Sequence, residues 1–253
     1  MTAANRTHDV LGTEITMPVE VRDARCFVAG FSADADAVAA AIARDHAGDG
    51  AVPQPLLIRS GRTMCMLVFV DYIDGDLGPY NEFGVCFLVD DPARPPTSRW
   101  AALRALASSD ARALVHRLPV DGDFTLAAGR GIWGFPKTLA DFDVDHDAGT
   151  KRGRVSADGD LIAELTVRPG IPLPANDTDA TLNAYAQLDG VLRVTPWHIM
   201  ATSGTRGRIG GARLTLGSHP MADELRRIGL SRHALMSSSV GHLAMRFDDA
   251  TVV

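Results

Sequence analysis

The chain has 253 residues, a formal net charge of −6 and 46% hydrophobic residues. Such a chain can bury a large core, which excludes a disordered protein. The excess of acidic residues argues against a nucleic-acid partner, because neutralising phosphates requires a basic surface. No run of apolar residues is long enough to span a bilayer, so we expect no membrane partner either.

The N-terminus lacks the charged and then apolar segments of a signal peptide, and we expect a cytoplasmic protein. The three cysteines, Cys26, Cys65 and Cys86, lie in or beside apolar strand-like segments, which indicates reduced thiols in the core. No two of them have the spacing of a metal site, and the eight histidines are scattered along the chain. We therefore expect neither a zinc site nor a cofactor.

The chain begins with a predicted arm, residues 1–24, since termini of this kind are often poorly ordered. The remainder, residues 25–253, contains no repeat and no low-complexity linker, so we expect a single domain. Apolar and β-branched segments predict strands at 25–31, 52–58, 63–72, 80–89, 140–145, 154–156, 162–168, 191–197, 212–216 and 234–245. Capping residues and alanine-rich segments predict helices at 35–46, from 97 or 98 to about 116, and at 222–228.

Many strands and few helices predict a mainly β (α+β) fold, a β-barrel with peripheral helices. The segment 129–134, Gly-Arg-Gly-Ile-Trp-Gly, has glycines like those of a dinucleotide-binding loop. Such a loop opens a helix, and Pro136 would interrupt a helix that begins here. The sequence therefore does not support a dinucleotide site.

Lysine is nearly absent, since Lys137 and Lys151 are the two lysines among 25 basic residues. A lysine amine that loses its proton can attack a carbonyl carbon, whereas an arginine guanidinium stays charged. Lys137 follows Trp133, Phe135 and Pro136, and apolar surroundings of this kind favour the neutral amine. The segment therefore indicates a lysine prepared to form a Schiff base.

An ordinary explanation of Lys137 stays open beside this one. A preference for arginine fits a high-GC genome. A lysine beside aromatic residues can also lay its methylene stem over the rings while its ammonium group remains in water. Lys151 lies in a polar, glycine-containing turn, and we assign it no chemistry.

Two motifs resemble the acetoacetate decarboxylase family. Residues 129–137, Gly-Arg-Gly-Ile-Trp-Gly-Phe-Pro-Lys, resemble the segment whose lysine forms an imine with the substrate, and residues 80–84, Tyr-Asn-Glu-Phe-Gly, resemble the family's Tyr-x-Glu segment. A weaker likeness extends to residues 212–222 and 236–243. The resemblance implies a cone-shaped antiparallel β-barrel with Lys137 inside, Glu82 near the imine, and assembly into a homo-oligomer.

The chain departs from the family pattern at four charged positions. The second lysine of the family is replaced by Thr138, an arginine after the first core strand by Ser32, and the acid of a Gly-Arg-Glu triplet by Gly131. A second glutamate of the family aligns with Leu67. The loss of these charges indicates a substrate larger and less charged than acetoacetate.

These departures set the expected roles of the remaining site residues. Without a neighbouring ammonium group, burial alone has to keep the catalytic Lys137 neutral, and the carboxylate of Glu82 works in the opposite direction. We expect Arg130 to bind the substrate in place of the missing arginine if its side chain points inward; the alternative is a surface arginine that braces a loop. The expected wall of the substrate pocket consists of Trp133, Phe135, Tyr80 and Leu67.

The resemblance implies a Schiff-base lyase that acts on a small-molecule ketone or keto acid, by decarboxylase or aldolase-dehydratase chemistry. We expect a substrate other than acetoacetate, in secondary metabolism. One alternative is a cyclase or isomerase for a polyketide-like molecule, in which Lys137 stays protonated beside Glu82. Another is a non-catalytic barrel that binds a small molecule.

Overall fold

The computed structural model describes residues 6–46, 52–90, 110–175 and 180–253. The strands are β1 (Thr7–Val10), β2 (Thr13–Thr16), β3 (Val19–Asp34), β4 (Arg62–Gly75), β5 (Tyr80–Leu88), β6 (Asp110–Val120), β7 (Lys137–Leu139), β8 (Asp141–Asp145), β9 (Lys151–Ala157), β10 (Asp160–Val167), β11 (Ile171–Pro172), β12 (Ala180–Leu188), β13 (Val191–Ser203), β14 (Arg206–Ile209), β15 (Ala212–Leu216), β16 (Ala234–Phe247) and β17 (Thr251–Val252). The helices of the described part are α1 (Ala35–Asp45), α2 (Asp123–Ala128) and α3 (Pro220–Arg227), and a π-helical turn, Gly129–Trp133, follows α2 directly.

Seven strands close into a barrel in the order β16, β3, β4, β5, β6, β12, β13, and β13 pairs again with β16. Six of the seven neighbouring pairs are antiparallel, and β6 runs parallel to β12. The long connection between β6 and β12 permits this parallel pair, which a tight hairpin could not form. The predicted mainly β, cone-shaped barrel with peripheral helices is confirmed, with this one parallel pair as the departure from a fully antiparallel wall.

The outer face of the barrel packs against a second sheet, which has the order β15, β10, β9, β8. Phe27, Phe69 and Phe83 lie on this face and belong to the same buried cluster as Leu165 of β10. The second sheet approaches closely because β9 carries Gly153, where a Cβ atom would lie 2.7 Å from a ring carbon of Phe69. Because these apolar side chains are buried at the interface, they determine which side of each strand faces the second sheet.

The opposite face of the same strands turns toward the barrel axis. Alternate residues along a strand point to opposite sides, so Val70 and Glu82, which pair across β4 and β5, share the inner face. Val115 of β6 and Ala186 of β12 pair on this face as well. These apolar residues belong to a second buried cluster, which also contains Trp133 of the π-helical turn.

Helix α1 begins where the sequence predicts it. Asp34 caps the helix, because its carboxylate accepts a hydrogen bond from the backbone N–H of Ala37 at 3.0 Å. Val38 and Ile42 bury the apolar side of the helix in the outer cluster. The helix therefore covers the barrel wall and lies away from its inner face.

The N-terminal arm carries more structure than expected. Strands β1 and β2 form a hairpin, and Val10 and Ile15 are buried in the inner cluster. Strand β3 begins at Val19, so it crosses the predicted boundary between residues 24 and 25. The division into an arm at 1–24 and a domain at 25–253 stays a prediction.

The predicted helix from 97 or 98 to about 116 is wrong in its last seven residues, since β6 begins at Asp110; residues 91–109 lie outside the described residues. Residues 110–116 are rich in helix formers, but Leu114 packs into the outer cluster and Val115 into the inner one. This alternation belongs to a strand, and pairing with β5 and β12 overrides the local helix propensity. The predicted strand at 52–58 forms one isolated bridge, between Pro55 and Val89.

None of the helices in the described part of the chain combines the length and the apolar character that crossing a membrane requires.

Candidate active site

The π-helical turn and β7 position Lys137, the lysine singled out in the sequence, at the barrel wall. The turn ends at Gly134, whose φ of 69° lies in the left-handed region that glycine favours. The backbone N–H of Phe135 then bonds back to the carbonyl of Gly129 at 3.0 Å. Lys137 begins β7 and pairs in parallel with Leu118 of β6. The turn and the strand together fix the backbone of Lys137 against the barrel wall.

The side chain of Lys137 is 3% exposed and points to a carboxylate. Its Nζ lies 2.9 Å from Oε2 of Glu82 and donates a hydrogen bond to Oγ1 of Thr125, also at 2.9 Å. The methylene stem crosses Gly129, where a Cβ atom would lie 2.5 Å from Cδ of the lysine. Glycine at 129 therefore provides the path by which the amine reaches Glu82.

Two stacked tyrosines complete the surroundings of this pair. The rings of Tyr72 and Tyr80 lie 4.2 Å apart, and Nζ of Lys137 lies 4.8 Å from the centre of the Tyr80 ring. The hydroxyl of Tyr72 donates a hydrogen bond to Oε1 of Glu82 at 3.1 Å. Both oxygens of the Glu82 carboxylate thus have a donor, which is what a buried carboxylate requires.

Burial keeps the two tyrosine hydroxyls and the cysteine thiol near Glu82 in their neutral, protonated form. It raises the pKa of Tyr72 and that of Tyr80 well above the ordinary value of a tyrosine, and the charge of Glu82 adds to both shifts. Burial, followed by the charge of Glu82, raises the pKa of the Cys86 thiol to about 12. Cys86 is therefore a poor nucleophile, and the nucleophile that this group of residues offers is the amine of Lys137.

The contact with Glu82 sets two influences on Lys137 against each other, as the sequence led us to expect. Apolar surroundings disfavour a charge on Nζ. The carboxylate at 2.9 Å and the Tyr80 ring at 4.8 Å both stabilise a positive charge there. Oε2 of Glu82 lies within the distance at which a proton can pass between the two groups.

Several predicted residues are brought together here. Lys137, Glu82 and Tyr80 touch one another, as described above. Trp133 and Phe135 are buried in the inner cluster, with ring centres 5.9 Å apart. Trp133 also donates from Nε1 to the carbonyl of Asp248 at 2.8 Å, so its polar edge is used to hold the C-terminal segment.

Two predicted residues lie elsewhere. Arg130 is exposed, and its Nη1 donates to the backbone carbonyl of Lys137 at 3.2 Å, as a loop-bracing arginine does. Leu67 pairs with Val85 and is buried in the outer cluster, because it is one residue out of phase with Val68 and Val70. The structure therefore places neither side chain beside the amine of Lys137.

Tyr72 and Thr125 are site residues that we did not predict from the sequence. Tyr72 ended a predicted strand, and its role depends on pairing directly with Tyr80, a register that one sequence does not reveal. Thr125 lies in α2, a six-residue helix with no side-chain cap at its start. The available cue is the Asp-Gly-Asp segment at 121–123, which is typical of a helix start, but six residues are too few to show a helical period.

The position that the resemblance assigns to an arginine is occupied differently. Ser32 is buried and accepts a hydrogen bond at Oγ from Nε of Arg62 at 2.8 Å, while its carbonyl accepts one from Nη2 of Arg62 at 2.9 Å.

Among the described residues, no cluster of three or more histidine, cysteine or acidic side chains could hold a metal ion.

The closed barrel, with a lysine buried against a glutamate, agrees with the resemblance of the chain to acetoacetate decarboxylase-like enzymes. The sequence profile of the family described as acetoacetate decarboxylase (ADC) matches residues 11–253, and the chain belongs to this family. By sequence, the chain matches no protein of curated function.

Solved structures share the fold along nearly the whole chain. The acetoacetate decarboxylase of Legionella pneumophila has a TM-score of 0.63 at 17% identity, with 93% of this chain and 87% of that one covered. An acetoacetate decarboxylase-like enzyme of Sphingomonas wittichii RW1 has a TM-score of 0.61 at 13% identity, with 99% and 100% covered. The enduracididine biosynthesis enzyme MppR, solved with pyruvate, has a TM-score of 0.57 at 14% identity, with 93% and 90% covered. At these identities the likeness shows the fold alone.

Proposed function

We propose that the protein is a Schiff-base lyase that acts on a ketone or keto acid through Lys137. The observation that carries this proposal is the 2.9 Å contact between Nζ of Lys137 and Oε2 of Glu82, in a site where both side chains are buried. A nucleophilic amine needs a base within hydrogen-bond reach that can take its proton. Glu82 is that base.

The proton path follows from the contact. Glu82 takes a proton from the ammonium group, and the freed lone pair of Nζ attacks the substrate carbonyl to form a carbinolamine. Protonated Glu82 then returns the proton to the carbinolamine hydroxyl, which leaves as water and gives a protonated imine. Tyr72, whose hydroxyl donates to the other oxygen of Glu82, holds the carboxylate in place during both transfers.

The protonated imine withdraws electrons from the adjacent carbon. In a decarboxylation, the bond to the carboxylate breaks, carbon dioxide leaves and an enamine forms, which a proton then converts back to an imine. In an aldol reaction, the carbon beside the imine loses a proton to give the enamine, which attacks a second carbonyl, and dehydration follows. MppR, which shares the fold, has been solved with pyruvate and with the condensation product of pyruvate and imidazole 4-carboxaldehyde, and this supports including the aldol route in the proposal.

The same contact supports a second candidate function. A carboxylate at 2.9 Å stabilises a positive charge on Nζ, and in this candidate Lys137 acts as a charged hydrogen-bond donor in a cyclase or isomerase that forms no imine. A non-catalytic binding barrel has less support, since a buried ion pair is seldom a net source of stability. A substrate other than acetoacetate, a role in secondary metabolism, assembly into a homo-oligomer and a cytoplasmic location all stay predictions.

Borohydride trapping separates the two enzymatic candidates. The protein is incubated with pyruvate, acetoacetate and a panel of neutral ketones, reduced with borohydride, and weighed by mass spectrometry. We expect one adduct per chain, mapped to Lys137 and absent from Lys137→Arg. Lys151→Arg is the matched control, because it removes the other lysine and leaves the site intact. Absence of any adduct, combined with turnover that Lys137→Met abolishes, would favour the non-imine enzyme.

A further inference from the structure

Polar side chains around Lys137 form a closed ring of hydrogen bonds. Nζ of Lys137 contacts Oε2 of Glu82 and donates to Oγ1 of Thr125, both at 2.9 Å. The hydroxyl of Tyr72 donates to the other carboxylate oxygen, Oε1, at 3.1 Å. The hydroxyl of Tyr80 closes the ring, because it is hydrogen-bonded to the side chains of both Thr125 and Tyr72. The lysine amine is therefore joined to Glu82 twice, once directly and once through a row of hydroxyl groups.

The two ends of the hydroxyl row fix the direction of every bond in it. A hydroxyl group has one proton to donate and can accept as well. Tyr72 uses its proton on Glu82, so in the bond between the two tyrosines Tyr80 is the donor. Tyr80 has then used its own proton, so it accepts from Thr125, whose oxygen accepts from Nζ. All the bonds from Nζ to Oε1 therefore point the same way, and bonds in such a chain polarise one another.

Burial separates this row from water. Tyr80 is 8% exposed, Tyr72 is 4% exposed and Thr125 is 2% exposed. Burial, with the charge of Glu82 added to it, also holds the pKa of each tyrosine well above its ordinary value. Neither tyrosine therefore stays ionised, and a hydroxyl of the row that receives a proton has to pass its own proton on.

Imine formation gives the row of hydroxyls a task. In the proposed mechanism Nζ begins as an ammonium group with three protons, whereas the nitrogen of a protonated imine carries one. Nζ therefore has to release two protons. The first passes directly to Oε2 of Glu82, and after the attack Glu82 gives that proton to the alkoxide oxygen of the substrate. Nζ, which now carries the new carbon and a positive charge, then has to release the second proton.

The direct contact with Glu82 serves the first proton alone. Its departure leaves the nitrogen lone pair on the side that faces Oε2, and the substrate carbon bonds to Nζ on this side. The carbon then stands between Nζ and Oε2, whereas the hydrogen bond from Nζ to Thr125 points elsewhere and is kept. The second proton therefore leaves Nζ through Thr125.

We propose that Thr125, Tyr80 and Tyr72 form a relay that carries this second proton from Nζ of Lys137 to Oε1 of Glu82. The relay rests on the proposed function. Each hydroxyl takes up one proton and gives up one, so the three hydroxyls end neutral and Glu82 ends protonated. Glu82 then protonates the carbinolamine hydroxyl, water leaves, and the protonated imine remains.

Rates of imine formation in variants of Thr125 test the relay. The probe is whichever of pyruvate, acetoacetate and acetone wild type traps fastest, and borohydride is added after increasing times. Thr125→Val removes the first hydroxyl, and we expect the rate to fall about 100-fold, the lower end of the range for a positioned acid or base group. Thr125→Ser restores a hydroxyl and should recover most of the rate. Thr215→Val, at an exposed threonine of β15, is the matched control and should react at the wild-type rate.

Mixtures of light and heavy water separate a relay from a merely structural role. Several protons move together along the relay, so the wild-type rate should fall along a curve as the deuterium fraction increases. In Thr125→Val the relay is cut, and the rate should fall along a straight line. Tyr80→Phe keeps the ring that stacks on Tyr72 and removes the middle hydroxyl, so it provides the same comparison if Thr125→Val does not fold.

Three results would overturn the relay while leaving imine formation intact. They are wild-type rates in Thr125→Val and Tyr80→Phe, an equal loss in Thr125→Val and Thr125→Ser, and a straight deuterium dependence in wild type. A wild type that traps none of the three compounds is a different result. Imine formation itself then fails, and the relay fails with it because Nζ has no second proton to release.

Discussion

Nζ of Lys137 and Oε2 of Glu82 lie 2.9 Å apart, and neither side chain is more than 7% exposed. The two residues come from strands that are far apart in sequence, and they meet because β5 and β7 both flank β6. At this distance a proton can pass directly between amine and carboxylate. In the proposed mechanism, the reactivity of the lysine therefore depends on Glu82 as well as on the apolar residues around it.

If Lys137 and Glu82 depend on each other, variants of either residue should change the free energy of unfolding. Removing one partner leaves the other as an uncompensated buried charge, so Lys137→Met and Glu82→Gln should each lower the free energy of unfolding by about 3–5 kcal/mol. The double variant should lose less than the sum of the two losses, with a coupling energy of about 1–3 kcal/mol. Urea denaturation of the four proteins measures this directly. Strictly additive losses would show that the two groups do not interact in solution.

The stem of Lys137 needs the space above Gly129. A Cβ atom at 129 would lie 2.5 Å from Cδ and 2.6 Å from Cε of the lysine, whereas a Cβ atom at Gly131 would meet nothing within 4 Å. Gly129→Ala should therefore displace the flexible lysine and lower the rate of imine trapping by about 100-fold, the effect of a misplacement near 1 Å. Gly131→Ala, in the same turn, should trap at the wild-type rate. Equal rates in the two variants would contradict this path for the side chain.

The barrel was largely predictable because its strands carry strong local signals. Apolar and β-branched segments predict β3, β4 and β5, and the turn at residues 76–79 separates β4 from β5. Strand β6 was not predictable in the same way, because its alanines and leucines favour a helix and its neighbours β5 and β12 decide otherwise. Strand β12 was missed altogether, since Ala180–Leu188 mixes alanine, threonine and polar residues without a clear period.

The sequence predicted those candidate site residues that lie in a recognisable motif. Lys137 was singled out by its own sequence context and Glu82 by the resemblance, and the structure brings the two side chains into contact. Leu67 shows the limit, since a shift of one residue along β4 moves a side chain from the inner face to the outer one.

A histidine remote from the site should make stability depend on pH. His146 is buried against Phe27, with ring centres 5.0 Å apart, and burial together with the charge of Arg25 lowers its pKa to about 4 from an ordinary value of 6.5. The unfolded chain binds a proton at this residue below about pH 6.5, and the folded chain does so only near pH 4. The contribution of His146 to the free energy of unfolding is therefore fully present above pH 6.5 and decreases as the pH falls from 6.5 toward 4.

Urea denaturation at several pH values checks this. His146→Gln should lose less stability than wild type between pH 6.5 and pH 4, because the titrating group has been removed. His233→Gln, at an exposed histidine, should follow the wild-type curve. Parallel curves for wild type and His146→Gln would mean that His146 protonates equally well in the folded and unfolded chains.

The chemical state of the Lys137 nitrogen tests the central claim most directly, and a chain with two lysines makes it accessible. Protein labelled with ¹⁵N at the lysine side chains should give two side-chain nitrogen signals, which Lys151→Arg assigns by removing one. On addition of a reactive ketone or keto acid, we expect the Lys137 signal to leave the ammonium region and appear as an imine nitrogen, while the Lys151 signal stays in place. If both signals remain those of ammonium groups at a ligand concentration that saturates binding, Lys137 forms no Schiff base.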